Sequence, residues 1–249
     1  MEMLDKYNTQ QIHKDLLVMM KDVHSFCCAH GIKYSLCGGS LLGAIRHNGF
    51  IPWDDDMDIM LDRNNYELLL SKFHECDGYT IERELWIYRI KKKDSEKVNG
   101  YFPTIDIFVI DNTPDKKLSR KFKTFKIKML QGMMKKKVNY SNYSFFGKIC
   151  VFCTRFIGMF FTDKFKWSMY ERISKKGNKN ETATVTCYND LFKLLHLRYD
   201  KDTMNFVELH EFEDTMFSIT CKWNSYLSTQ YGDYMTPPDE KNRKPEHCS

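Results

Sequence analysis

The chain has 249 residues, 42% hydrophobic, 29% charged and 14% aromatic, with a formal net charge of +5. That balance excludes a disordered or collagen-like chain and suffices for one large core or two smaller ones. The charge is concentrated: residues 115–148 hold eleven Lys and Arg against one acid, Asp115, so the rest of the chain is net acidic.

The opening "MEMLDKYNTQQ" lacks a basic stretch followed by an apolar one, so the expectation is no signal peptide and a cytoplasmic setting. Asn8 or Thr9 can cap a helix reaching about His30, because Ile12, Leu16, Met19, Met20, Val23, Phe26 and Cys27 recur at helical spacing and Gly31 follows. "IKYSLC" (32–37) reads as a buried strand. Gly38-Gly39-Ser40 reads as a tight turn, with Ser40 capping a short helix "LLGAIRH". "DMDIML" is a second strand, and Arg63 to His74 a helix with Tyr66, Leu69, Leu70 and Phe73 inward. "YTIERE" and "LWIYRIKK" form a strand pair, and "YFPTIDIFVID" (101–111) a further strand.

After Pro114 the composition changes. Residues 115–176 are basic and helical in tendency, 177–190 are polar and loop-like, and the end is a turn-rich tail. Alternating strands and helices up to residue 112 argue for a mixed β-sheet core flanked by helices, an α+β fold with a basic helical insertion. The division expected is 1–112 for the catalytic core, 113–180 for the basic helical region and 181–249 for a C-terminal part completing the catalytic domain. Nine cysteines, an odd number, are scattered through the chain and fit reduced thiols better than a disulfide framework. Cys150-x-x-Cys153 has no second ligand pair at zinc-binding spacing, so both are read as core residues.

"FIPWDDDMDIML" (50–61) places Asp54, Asp55, Asp56 and Asp58 inside an apolar stretch. Like charges repel, and partial burial sharpens the repulsion. In a strand, Asp54, Asp56 and Asp58 share a face, and Asp55 and Met57 point the other way. Two hard carboxylates side by side suit Mg²⁺ or Mn²⁺, which would also relieve the repulsion. Asp106, between Ile105 and Ile107, is costly in a central strand unless a cation or hydrogen bonds hold it, and it can complete a carboxylate triad. Asp111 can cap the turn that follows. Gly38, Gly39 and Ser40, before a helix, form a place where phosphate can rest. The pattern is neither G-x-G-x-x-G nor a Walker A loop. Arg46 can pair with phosphate or with the Asp cluster. Trp53, Trp86, Tyr88 and Trp223 are candidates for an aromatic cage around a quaternary ammonium, with core packing as the plainer role.

With these residues in view, "YSLCGGSLLGAIRHNGFIPWDDDMDIML" resembles the signature of the LicD family, which includes fukutin-like proteins and belongs to the nucleotidyltransferase superfamily. "TIDIFVID" resembles its later strand bearing a third carboxylate, and "FEDTMFSI" and "YLSTQYGDYMTPP" resemble its C-terminal motifs. Asp214 stands where the family usually has glycine, and "FSITCKW" lacks the prolines common after that motif. The resemblance implies a nucleotidyltransferase-like core and Mg²⁺-dependent transfer of a phosphorylated alcohol from a CDP-linked donor to a glycan hydroxyl. CDP-choline is the first candidate donor, and ribitol or glycerol phosphate transfer is an alternative. It implies Asp56, Asp58 and Asp106 as metal ligands and catalytic groups, with Asp106 accepting a proton. Gly38, Gly39, Ser40, Arg46 and Trp53 then become substrate contacts. The same carboxylates would serve a nucleotidyltransferase that releases pyrophosphate. A scaffold protein with a degenerate site would not need the intact set.

No nucleic-acid module accompanies the lysines, so no nucleic-acid partner is expected. The basic stretch leads into the apolar run "ICVFCTRFIGMFF" (149–161), too short to span a bilayer, which needs ~20 apolar residues. It fits peripheral contact with the inner face of a membrane, where a lipid-linked glycan acceptor could be met, or a solvated basic face beside a core helix.

Overall fold

The computed structural model describes residues 9–93 and 102–245. They divide into two compact units. The first takes residues up to Glu82, Tyr88–Val109 and everything from Asp202 on, and the second takes Arg83–Ile87 and Ile110–Lys201. Residues 181–201, grouped above with the C-terminal part, thus belong to the second unit, and the chain returns to the first at Asp202.

In the first unit, helix α1 (Thr9–Ala29) buries the expected apolar stripe from Ile12 to Cys27. Each such side chain contributes roughly 1.5–3 kcal/mol when taken fully out of water. The helix ends where Gly31 takes a φ of 64°. Asn8, the alternative cap, lies outside the described residues. The strand expected over 32–37 is regular only at β1 (Ser35–Leu36). Helix α2 (Gly38–His47) starts earlier than its serine suggested, with Cys37 extended at the cap position. Strand β2 (Met57–Asp62) pairs antiparallel with β1, Ser35 opposite Met60 and Leu36 opposite Ile59. Asp62 caps α3 (Arg63–Lys72) by accepting from the Asn65 N–H at 2.9 Å. Tyr66, Leu69 and Phe73 face inward, whereas Leu70 is half-buried.

Strands β3 (Tyr79–Glu84), β4 (Ile87–Lys92) and β5 (Thr104–Asn112) follow. The order is β1-β2-β5-β4-β3, so the acid-bearing strands β2 and β5 are neighbours inside a mixed sheet with helices packed on it, an α+β fold. Strands β4 and β5 are antiparallel, and their register sets Arg89 opposite Asp106. Later in the chain, β8 (Val207–Phe212) and β9 (Thr215–Thr220) form a hairpin, and α7 (Trp223–Tyr231) follows it. In its two-residue turn Glu213 has the positive φ, 55°, while Asp214 does not. The second turn position therefore has no need of glycine, and Asp214 is free of strain there.

In the second unit, α4 (Lys117–Met134), α5 (Phe145–Gly158) and α6 (Asp163–Lys175) are the helices expected from the basic region. The stretch 177–190, read as loop, contains strand β6 (Thr184–Cys187). It pairs with residues 110–112 of β5 and with β7 (Tyr199–Asp200). Val185, Thr186 and Cys187 are buried, and four residues with only two apolar members give too short a signal to stand out from a loop. The core gathers Trp86, Ile127, Leu130, Met134, Tyr170, Tyr188 and Leu195. Lys123 is also buried. Its ammonium donates to the carbonyls of Asn112, Ser174 and Lys176 at 2.8–3.0 Å and lies over the Tyr188 ring. One of the eleven bases is thus a structural strut, with all three of its protons used. Cys150 and Cys153, expected in the core, are both exposed.

Candidate functional site

The acidic run lies in the first unit, just after α2. Residues 54–56 are not in regular structure, and the strand begins at Met57. The alternation expected over the whole run therefore holds only from residue 57. The segment leading into β2 still brings Asp56 beside Asp58. One carboxylate oxygen from each of Asp56, Asp58 and Asp106 lies within 4.8 Å of the others, and so do those of Asp54, Asp55 and Asp56. Asp56 and Asp58 are half-buried, Asp106 is 6% exposed, and Asp55 is fully buried. Sheet order explains the meeting, because β2 and β5 are adjacent and residues 50 positions apart in sequence become neighbours across it.

Asp106 has the counter-charge its setting demands. Arg89 Nε stands 2.8 Å from Oδ1, and Nη2 donates to Oδ2 at 3.1 Å. The Thr104 hydroxyl lies 3.5 Å from Oδ1. Sequence reasoning missed Arg89. Its signal was available only through strand register, since it is the residue directly opposite Asp106 in the antiparallel pair.

The Gly-Gly-Ser turn is built around the acids. Cys37 N–H donates to the Asp58 carbonyl at 3.1 Å, and Asp58 N–H donates to the Ser40 hydroxyl at 2.8 Å. Ser40 thus fixes the backbone that carries Asp58, rather than capping the helix as expected. Gly38 has a φ of 54°, and a Cβ there would run into the Asp58 carboxylate; a Cβ on Gly39 would run into that of Asp54. Both glycines make room for carboxylates at the start of α2, where unpaired N–H groups favour negative charge.

The loop before the acids is held from two sides. His13 on α1 stacks on Phe50, with ring centroids 4.3 Å apart, and its Nε2 lies 2.7 Å from the Asp54 carbonyl oxygen. Burial holds this imidazole below its ordinary value, against the smaller opposing pull of that carbonyl and of Glu213 and Asp55. At the hairpin turn, Glu213 N–H donates to the Asn48 carbonyl at 2.7 Å, and its carboxylate accepts from Phe50 N–H at 3.0 Å. Gly49 leaves the space that the Glu213 side chain fills. Asp214 pairs with Lys21 at 2.7 Å. Glu213 was also missed, since its role depends on contact across 163 positions.

The other expected contacts are scattered. Arg46 donates to the Tyr234 carbonyl at 2.8 Å, and burial, together with the charge of Arg243, lowers the proton affinity of its guanidinium. Trp53 is half-buried, with the Arg243 guanidinium 5.3 Å from its ring centroid and His47 at its edge. Of the proposed cage, Trp86 is a core residue of the second unit, and Tyr88 packs edge-on to Tyr66. Trp223 is half-buried at the start of α7. Asp111 is buried and accepts from the Asn178 side chain rather than capping the turn at the end of β5.

Comparison with known proteins agrees with this arrangement. Residues 31–148, from before β1 into α5, match the family model described as LicD/FKTN/FKRP, nucleotidyltransferase domain. The chain is 26% identical over 246 residues to the lipopolysaccharide cholinephosphotransferase LicD of Haemophilus influenzae, with 90% of each chain covered. An uncharacterized protein of Rickettsia prowazekii is 36% identical over 104 residues, 41% of this chain and 35% of that one. The human ribitol 5-phosphate transferase FKRP is 61% identical over 31 residues, 12% of this chain and 6% of its own. Likeness to one relative over 90% of each chain, a matching domain model and a Gly-Gly-Ser turn set against paired aspartates all agree: residues 31–148 are a nucleotidyltransferase domain of the LicD type.

Proposed function

We propose that this protein transfers a phosphorylated alcohol, phosphocholine first among the candidates, from a CDP-linked donor to a hydroxyl of a surface glycan such as a lipopolysaccharide or teichoic acid precursor. The observation that supports it most is the meeting of Asp56, Asp58 and Asp106 oxygens within 4.8 Å. The names of two relatives add to it, one a cholinephosphotransferase and one a ribitol 5-phosphate transferase.

An all-oxygen, all-anionic donor set of this size fits Mg²⁺ or Mn²⁺. Such an ion would offset the charge of the carboxylates and of the departing CMP. The acceptor hydroxyl oxygen bonds to the phosphorus carrying the alcohol, the bond from that phosphorus to the CMP oxygen breaks, and CMP leaves with the electron pair. Asp106 takes the hydroxyl proton, and Arg89 holds its carboxylate in place through both oxygens. Phosphate oxygens of the donor would rest on the first turn of α2, at Gly38, Gly39 and Ser40. Arg46 and Trp53 remain proposed contacts of the donor.

The test is a screen of CDP-choline, CDP-ribitol, CDP-glycerol and CDP-ethanolamine for CMP release. Metal-dependent CMP release from one of them, abolished by chelation, is the expected result. Release of the phosphorylated alcohol in place of CMP, which marks attack at the phosphorus carrying cytidine, or no metal-dependent turnover with any donor, overturns the proposal.

A further inference from the structure

We propose that the second unit docks on an anionic lipid surface through α5 and the outer face of α4. This inference stands independently of the transferase reading.

Helix α5 is attached to its own unit by one stripe. Thr154 and Gly158 are buried, and both approach α4 closely, Thr154 against Gly132 and Gly158 against Met133. The opposite side is apolar and open: Phe145, Phe146, Phe152 and Phe156 are 81%, 74%, 62% and 54% exposed. Just beyond the helix, Met159 and Phe160 are 80% and 73% exposed. A helix facing water carries polar residues on that side, and exposed apolar surface on this scale marks an interaction site. Helix α4 continues the pattern. Leu118, Phe122 and Phe125 are exposed at spacings of four and three, which aligns them in one stripe. Exposed Lys117, Lys121 and Lys126 lie beside that stripe.

Charge decides the occupant. Exposed Lys148 lies on α5 itself, and exposed Lys136 and Lys137 follow just past the end of α4, within a stretch of eleven bases and one acid. A second copy of this chain would bring the same positive charge against it, whereas anionic headgroups complement it. Length decides the mode. The 14 residues of α5 extend about 21 Å, short of the ~30 Å hydrocarbon core. Among the described residues no single helix is long and apolar enough to cross a membrane, and α5 and α6 together are bent by 114°. An aromatic-rich helix flanked by lysines lies in the headgroup region, its rings in the acyl boundary and its lysines at the phosphates.

The experiment is sedimentation of the full chain with phosphatidylcholine vesicles, with and without phosphatidylglycerol. The protein should pellet with the anionic vesicles at low salt. Lys136→Gln with Lys137→Gln should weaken partitioning by roughly 30-fold, from ~1 kcal/mol per lysine. Phe152→Ser with Phe156→Ser should release the protein even where the lysines are intact. Circular dichroism establishes that both variants are folded. Equal recovery in the supernatant with and without phosphatidylglycerol overturns the proposal. So does a dimer in gel filtration that Phe152→Ser with Phe156→Ser dissociates, without vesicle binding by the parent chain.

Discussion

Arg89 and Asp106 face each other across two antiparallel strands and are joined by two contacts, Nε to Oδ1 at 2.8 Å and Nη2 to Oδ2 at 3.1 Å. Both side chains are largely buried, at 18% and 9% exposure. Removing one member leaves the other charge without its partner in a poorly solvated place. Arg89→Ala should therefore destabilise the protein by about 3 kcal/mol, read as a shift in urea midpoint. A change within about 0.5 kcal/mol, the range of an ordinary surface substitution, would show that the pair is not holding Asp106.

Asp106→Asn separates support from chemistry. The amide keeps the shape and loses the charge, so transfer should slow far more than donor binding weakens. Stability falls under either reading, because Arg89 loses its counter-charge, and if Asp106 is a structural acid alone, the variant keeps its activity per folded molecule.

Asp56→Asn and Asp58→Asn should each lower transfer by at least ~10²-fold, the scale for loss of a main electrostatic element in a site. Neither should unfold the protein, because removing one of several crowded negative charges relieves repulsion. The measurement is CMP release alongside a thermal melt, and near-normal turnover in a folded variant would remove that residue from the site.

Gly39→Ala tests the packing of the turn. The added methyl overlaps the Asp54 carboxylate, which must move. Overpacking of this kind typically costs ~1–3 kcal/mol, and transfer should fall with the shift of the acid loop. Gly177→Ala serves as a comparison. Its methyl meets open space, so its cost comes from the backbone alone, at a φ of 97°. A Gly39→Ala variant with parental stability and activity would mean that the carboxylate has room to retreat.

Asp190, in the second unit, is pushed up to about 6 by burial, with the Leu191 N–H and Lys193 pulling the other way. The folded state holds this proton more tightly than the unfolded state, whose value is 3.8. Its favourable contribution is fully present below pH 3.8 and is lost as pH rises through about 6. Asp190→Asn should remove that loss and gain stability relative to the parent at pH 7 but not at pH 3.5. Urea midpoints of both proteins at the two pH values check this, and a difference independent of pH would contradict it.

Much of the candidate site was legible in the chain because its parts are local. Apolar spacing defined α1, a glycine pair before an apolar helix marked the turn, and aspartates two apart set Asp56 beside Asp58 at the start of β2. Asp106 stood out because an acid inside an apolar strand demands a partner. The partner itself was not legible. Arg89 becomes relevant only when β4 pairs with β5 in one particular register, and a shift of one residue would turn its side chain to the other face. Glu213 in the hairpin turn reaches Phe50 for the same reason, through contact between distant segments. Composition misled where packing decides. The apolar run around Cys150 and Cys153 reads as core, yet α5 meets its neighbour through small residues on one side and leaves its phenylalanines outside. For Trp86 the plainer of its two readings, core packing, is the one the fold selects, in the second unit. Spacing within one segment fixes which residues share a face, because backbone geometry is periodic. Which face meets which depends on burial summed over the whole chain, and that is settled only by tertiary structure.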